Sequence, residues 1–536
     1  MTVSTRYVPL EAFAIFCCGL ILFTMGLGQQ EIIGFESRFY LFALEMWRHG
    51  LSGFPTTYGS PYPDYPVTPT LMIYGIAKAM GQFNKLIAVF PSAMAAAVTL
   101  AVTYMIGALH NRRWGVYAVC FMLLTNTFLM EARTISPDQY IAMVTTVCFY
   151  LAYSAVLSQK KKRLWFIPLL FAIGFACRGP IGLVVPAGVL CVFYGLEKDI
   201  KQFFMMGFAA IIVLMIGSTA LFGMAYLVGG MSFVQDVLHM EVSGRLQDAV
   251  LPWYFYFVES IGAYAVTYPL AILLVIGLGR GLLKSHVSAD MKFIQKLAGW
   301  ALIILVGLTI PAGKKIRYVL AFVPALALMS AYLFALPQRQ KQLLSLQQIV
   351  YWFCYFLPLL CLAITLMIEF FAPQKHLLAG IPYSLLAILF LTLQWVCFIG
   401  RWRFSEADGL VVLVVAALTF VISYIWIVEP INLALNRTRD FVATTEILRH
   451  HNRAKLVFYQ ENPDAMPIKY VANMPQEDMP IFMNTPNEIE QLKTQAFFVV
   501  SEEHVATMPK NILESLRVVY SGSIGHAPVV IFAKKG

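Results

Sequence analysis

Long apolar runs, each near the length that crosses a bilayer, alternate with short polar breaks over the first four-fifths of the chain. A helix needs about 20 apolar residues to cross the hydrocarbon core. Thirteen such runs are predicted, at about 9–28, 86–108, 114–130, 138–157, 164–177, 179–197, 203–229, 256–279, 294–311, 316–335, 350–371, 380–399 and 409–428. The run at 164–177 is short and abuts its successor across Cys177-Arg178-Gly179-Pro180. The first run reads as an anchor rather than a cleaved signal, because twelve more follow it.

Beyond residue 430 the runs shorten and charges return. Residues 455–460, 496–501, 517–522 and 528–534 read as strands. Residues 438–451 and 486–494 carry a helical period between them. The chain therefore reads as a mainly α, polytopic helical membrane protein with a small C-terminal α/β domain. The predicted division is a membrane domain at 1–429 and an outer domain at 430–536.

The loop at 29–85 is long and patterned. Phe39, Phe42, Ala43, Met46 and Trp47 form a helical apolar stripe with polar residues opposite, which predicts a helix lying flat at the membrane surface. A segment rich in proline and tyrosine follows at 54–70, and a second interfacial helix is expected at 71–81. No internal repeat or low-complexity tract is visible.

Composition agrees with the bilayer. Of 536 residues 59% are hydrophobic and only 13% charged, and that charged share is about half of what a soluble domain carries. The net charge of +10 could suggest a nucleic-acid partner. The positive residues instead sort by loop, gathering at 112–113, 160–163, 198–201, 280–296, 339–341 and 401–403. The positive-inside rule puts those loops and the N-terminus in the cytoplasm and the C-terminal domain outside. No nucleic-acid partner is expected. All nine cysteines fall in or beside predicted spans, so no disulfide or thiolate metal site is expected.

On the other face, at span ends, lie Glu36, Arg38, Asp64, Glu131, Arg133, Asp138, Arg178, Glu241, Arg245, Lys314, Lys315 and Arg317. Charged residues at span ends are often plain interfacial anchors, and Arg48, Lys78 and Lys375 are assigned to that role. Anchoring explains poorly why Glu36 and Asp138 sit beside arginines, and why three cations cluster at 314–317, on the face that should be poor in cations. One chemistry needs this mixture. A carboxylate serves as general base toward an acceptor, while Lys and Arg hold a phosphate and stabilise the charge it gains on leaving. A lipid-linked phosphate arrives at that depth.

Several segments carry a family resemblance: Phe35-Glu-Ser-Arg38, residues 62–69 (YPDYPVTP), 132–138 (ARTISPD), 177–186 (CRGPIGLVVP), 252–256 (PWYFY) and 314–328 (KKIRYVLAFVPALAL). In order and sidedness they resemble the GT-C lipid-linked-sugar glycosyltransferases, in the branch of bacterial aminoarabinose transferases and protein mannosyltransferases. That resemblance implies thirteen spans, an outer α/β domain and transfer of a monosaccharide from a polyprenyl-phosphate donor at the periplasmic face of the bacterial inner membrane. It implies Glu36 as base or acceptor-orienting group and Asp138 as a second catalytic carboxylate. It makes Arg38, Tyr62, Asp64, Tyr65, Arg133, Arg178, Arg245, Lys314, Lys315, Arg317 and Tyr318 candidates for substrate binding, with the loop at 58–65 closing over the donor. No cofactor is required; a divalent metal ion near Asp64 is allowed for. Two positions depart from the family: its first aspartate is Phe35 here, and a family lysine is Tyr65.

The acceptor stays open at this stage among lipid A or a related glycolipid, a glycan such as O-antigen, and protein hydroxyls. A polymerase or ligase of longer glycans would share the same site. A transporter or flippase of lipid-linked glycans is the alternative from another class. Its usual marks, inverted repeats and polar groups at mid-bilayer, are not found.

Overall fold

The computed structural model describes residues 7–64, 66–243, 251–279, 282, 288–335, 341–371, 380–403, 408–492 and 494–535. Helices occupy all thirteen predicted segments. The first ten helices are α1 (Val8–Thr24), α2 (Glu36–His49), α3 (Thr68–Met80), α4 (Lys85–Ala108), α5 (Arg112–Leu123), α6 (Asn126–Ala132), α7 (Pro137–Ser158), α8 (Ile167–Arg178), α9 (Pro180–Glu197) and α10 (Ile200–Leu238). Among the described residues eight helices are long and apolar enough to cross a membrane, or up to ten if each of two bent pairs is one span. The bent pairs are α5 with α6, at 78°, and Phe255–Ala263 with Thr267–Leu278, at 114°. All nine cysteines are free.

Small residues let the helices approach closely where there is no water to drive them together. A Cβ on Gly107 of α4 would lie 2.6 Å from the Cα of Gly115 on α5. A Cβ on Gly182 of α9 would lie 2.0 Å from the carbonyl oxygen of Gly174 on α8. Elsewhere buried indoles tie helices to carbonyls: Trp114 Nε1 donates to Leu328 O at 2.8 Å, and Trp300 Nε1 to Ala321 O at 3.0 Å. Each bond satisfies a donor that would be costly to bury alone.

The C-terminal part contains a five-stranded sheet of order β4-β3-β5-β7-β6, from β3 (Lys455–Tyr459), β4 (Ile481–Met483), β5 (Ala496–Ser501), β6 (Leu516–Ile524) and β7 (Ala527–Lys534). β3 runs parallel to β4 and β5, while β5–β7 and β7–β6 are antiparallel. The strand β4 is three residues long, too short for its pattern to have stood out. Side chains alternate between two apolar layers: Leu456, Phe458, Phe497 and Val499 on one face, Val457, Tyr459, Phe498 and Val500 on the other.

The first of those layers includes Leu41 of α2. On its opposite side α2 sends Phe39, Phe42 and Ala43 into the membrane core. The helix expected to lie flat with one wet face is therefore buried from both sides, against the spans and against Met466–Ala472. The proline–tyrosine loop is also ordered. Tyr58 and Gly59, with φ of 52° and 73°, make the turn between β1 (Thr56–Thr57) and β2 (Ser60–Pro61). Positive φ at both central positions is the geometry of a tight hairpin turn. Tyr58 donates to Pro463 O at 2.8 Å and Tyr62 to Asp464 Oδ2 at 3.1 Å, so the loop is fastened to the C-terminal domain. Burial, foremost, keeps the Tyr62 phenol protonated as a donor.

Candidate active site

The tight α8–α9 hairpin puts Arg178 at its apex. Gly179 follows with φ of 64°, a left-handed position that favours glycine. Asp138 stands in the first turn of α7, where the helix dipole favours a carboxylate. A 3₁₀ segment, Ile316–Phe322, carries Arg317 and is held by the Trp300 bond and by Tyr264, which donates to Ile316 O at 3.0 Å. These elements converge. Arg317 Nε donates to Asp138 Oδ2 at 3.0 Å, and Arg178 Nε lies 3.5 Å from Asp138 Oδ1. One carboxylate thus orders two guanidinium groups and leaves a net positive charge.

Phe35 takes a part in this cluster that its sequence position did not suggest. The Arg317 guanidinium lies 3.4 Å from the centroid of its ring, and Lys315 Nζ 5.2 Å from it. An aromatic face steadies cations without neutralising them, as an aspartate at this position would. Tyr318 extends the platform, with Arg178 and Arg317 at 5.7 and 5.6 Å from its ring. Burial, foremost, and then Arg317, Arg38 and Arg178 push the Lys315 ammonium down to about 8, with Asp64 opposing. Four cations crowding one half-buried spot is the signature of a site built for an anion.

Beside the cations opens a cavity of 290 Å³, lined by Phe35, Glu36, Lys85, Glu131, Arg317 and Glu429 among others. Glu36 is 3% exposed, and its Oε1 meets Lys85 Nζ at 2.7 Å. Its Oε2 has no hydrogen-bond partner among the described residues. Lys85 also donates to Glu31 O at 3.1 Å. Glu131 Oε2 accepts a hydrogen bond from Ser136 Oγ. A second opening, an apolar groove of 340 Å³, runs between Phe54 and Val67 of the first loop, Phe175 and Ala176 of α8, and Ile216 and Leu221 of α10. Its lining residue Ala176 is two positions before Arg178 in the sequence.

The structure brings together Glu36, Asp138, Arg178, Lys315, Arg317 and Tyr318, with Arg38 and Asp64 close by. Arg38 leans toward the C-terminal domain, donating to Asp464 O at 3.1 Å beside the Tyr62 ring at 5.4 Å. Lys314 is placed differently from its neighbour: its Nζ donates to Leu251 O at 3.0 Å and fastens a loop. Arg133 is also differently engaged. Its guanidinium grips Glu429 at 2.6 and 2.7 Å and donates to the carbonyls of Leu22 and Met25. Those bonds use its fork for structure. Tyr65 and Arg245 lie outside the described residues. Among the described residues no three His, Cys, Asp or Glu side chains gather as ligands for a metal ion.

Sequence reasoning counted Glu131 among the outer-face charges without giving it a role, and selected neither Lys85 nor Phe35. Lys85 had a readable signal: a lysine opening a helix opposes the dipole and needs a compensating carboxylate. Phe35 had one only as a departure from the family pattern.

The family model for dolichyl-phosphate-mannose-protein mannosyltransferases matches residues 64–222. The search of curated proteins found no match. Two solved structures of ArnT from Cupriavidus metallidurans share the fold at 14% identity. The undecaprenyl-phosphate complex superposes with a TM-score of 0.70, covering 99% of this chain and 98% of that one. The apo form gives 0.71, covering 98% of each. The chain is a multi-pass membrane protein with the GT-C fold, and it resembles the glycosyltransferases of the aminoarabinose transferase and protein mannosyltransferase group.

Proposed function

We propose that this protein transfers a monosaccharide from a polyprenyl-phosphate donor to an envelope acceptor, lipid A or a related glycolipid, at the periplasmic face of the bacterial inner membrane. Residues 1–429 carry the transfer site, the N-terminus is cytoplasmic and residues 430–536 form a periplasmic domain. The observation that supports this most is the cation cluster of Arg178, Lys315 and Arg317. Arg317 lines the carboxylate-lined cavity, and the helix that ends in Arg178 contributes Ala172, Phe175 and Ala176 to the apolar groove. The groove suits the isoprenoid chain, the cations suit the phosphate, and the cavity suits the acceptor. ArnT, which has the same fold, has been solved with undecaprenyl phosphate bound.

In this reading Arg317 and Lys315 hold the donor phosphate and stabilise the charge that grows on it as the anomeric C–O bond breaks. Arg178 helps through Asp138, which fixes the two arginines relative to each other. The test is a transfer assay on protein in lipid, with radiolabelled undecaprenyl-phosphate monosaccharides and an envelope extract. The expected result is release of undecaprenyl phosphate with label entering the extract, falling at least tenfold in Asp138→Asn. A wild-type protein that releases no undecaprenyl phosphate from any donor contradicts the reading.

A further inference from the structure

Asp138, Glu36 and Glu131 stand in or beside the proposed transfer site, and they differ in what holds them. Asp138 is bracketed by Arg178 and Arg317. Glu36 is paired with Lys85. A carboxylate tied to a cation is a weak base. Glu131 forms no ion pair among the described residues; its hydrogen-bond partner is the Ser136 hydroxyl, and the Ser136 backbone is held by Ser92, whose Oγ accepts from Ser136 N at 3.0 Å. It is 7% exposed and lines the 290 Å³ cavity together with Glu36 and Arg317.

We infer that Glu131 is the general base of the transfer and that the acceptor presents a neutral hydroxyl rather than a phosphate. The inference rests on the transferase reading above. The electrostatics of the cavity support its second half. Lys85 is occupied by Glu36 and a carbonyl, and Arg133 by Glu429 and two carbonyls. Arg317 belongs to the donor cluster. Among the described residues no surplus cation lines the cavity to receive a second phosphate, whereas three carboxylates, Glu36, Glu131 and the Arg133-bound Glu429, line it. The buried Glu36 Oε2, which lacks a partner among the described residues, calls for a hydrogen-bond donor. A hydroxyl offers one; an ionised phosphate would be repelled.

The step balances simply. The acceptor oxygen attacks the anomeric carbon and forms the new C–O bond. The bond from that carbon to the phosphate oxygen breaks, and its electron pair leaves with polyprenyl phosphate on Arg317 and Lys315. The hydroxyl proton passes to the Glu131 carboxylate and then to water. Glu36 Oε2 accepts from a second hydroxyl of the acceptor and orients it. The acid missing at position 35 is, on this account, replaced from the end of α6.

The experiment compares wild type, Glu131→Gln and Glu131→Asp with the same donors and envelope extract, before and after phosphatase treatment of the extract. Product linkage is read by mild acid, which cleaves a glycosyl phosphate and spares an ordinary glycoside. Folding of each variant is checked by binding of undecaprenyl phosphate. The expected outcome is an acid-resistant product that survives phosphatase treatment, with kcat in Glu131→Gln down about 100-fold or more. KM and undecaprenyl phosphate binding stay near wild type, and Glu131→Asp is intermediate. Glu131→Gln turning over within threefold of wild type overturns the assignment of the base. An acid-labile product abolished by phosphatase overturns the hydroxyl. Absence of any wild-type turnover removes the transferase reading and this inference with it.

Discussion

Lys315 is the residue through which pH should act on donor binding. Its ammonium is held down to about 8, against an ordinary 10.5, by burial and by neighbouring cations. The sign follows from that direction. Below pH 8 the lysine is charged in the empty site and ready for phosphate. Above pH 8 the empty site loses its proton, and a bound phosphate must draw one back, so binding weakens as pH rises. For the fold the same shift works the other way: the charged lysine is a burden below pH 8, relieved as pH climbs toward 10.5. Affinity for undecaprenyl phosphate should be level from pH 7 to 8 and then fall by up to about tenfold per unit. In Lys315→Arg it should stay level to pH 10, because arginine does not titrate there. Calorimetric titrations across that range check it; a wild-type affinity unchanged from pH 8 to 10 would contradict this role for Lys315. The cations at 314–317 and the carboxylates at 36 and 138 could be read from sequence as charges on the wrong face. Their pairing could not. Whether Lys314 or Lys315 meets the phosphate depends on which one finds Leu251 O, a contact 63 residues away.

At the scale of elements, the site depends on two close approaches. The α8–α9 hairpin holds Arg178, and its closeness rests on Gly174 and Gly182. A side chain at 182 would run into the Gly174 carbonyl, with even a Cβ at 2.0 Å. Gly182→Val should push the helices apart and cost undecaprenyl phosphate affinity together with thermal stability, while Gly188→Ala, whose nearest new contact would be 3.6 Å away, should change neither. Thermal melting in detergent with and without lipid reads both. Equal melting of Gly182→Val and wild type would remove the argument. The spans were legible because hydropathy over about 20 residues is a strong signal. The short pieces were not. Strand β4 and the helices Met466–Ala472, Glu502–Thr507 and Lys510–Ser515 are too brief for a period to emerge. The double burial of α2 was hidden for another reason. Its apolar stripe is genuine, but Leu41 on the other side looks like a single stray apolar residue until a second domain covers it.

The whole molecule joins two folding units around the first long loop. α2 touches both, and the hairpin at 56–61 is pinned to residues 463–464. Glu429, at the start of the helix leading out of the last span, clamps Arg133. Gln30 Nε2 donates to the same carboxylate at 2.8 Å. The C-terminal domain thereby sets the position of the loop that carries Phe35 and Glu36, which gives it a part in the site without touching the reacting atoms.

The central claim is that the Arg178, Lys315 and Arg317 cluster receives a lipid-borne phosphate. The most direct measurement is equilibrium binding of undecaprenyl phosphate to the purified protein, with undecaprenol as the phosphate-free control and Arg317→Ala beside wild type. The account predicts binding that depends on the phosphate and weakens about tenfold or more in Arg317→Ala, the scale of a lost charge-assisted hydrogen bond. Undecaprenol binding as tightly as undecaprenyl phosphate, or Arg317→Ala binding like wild type, would contradict it.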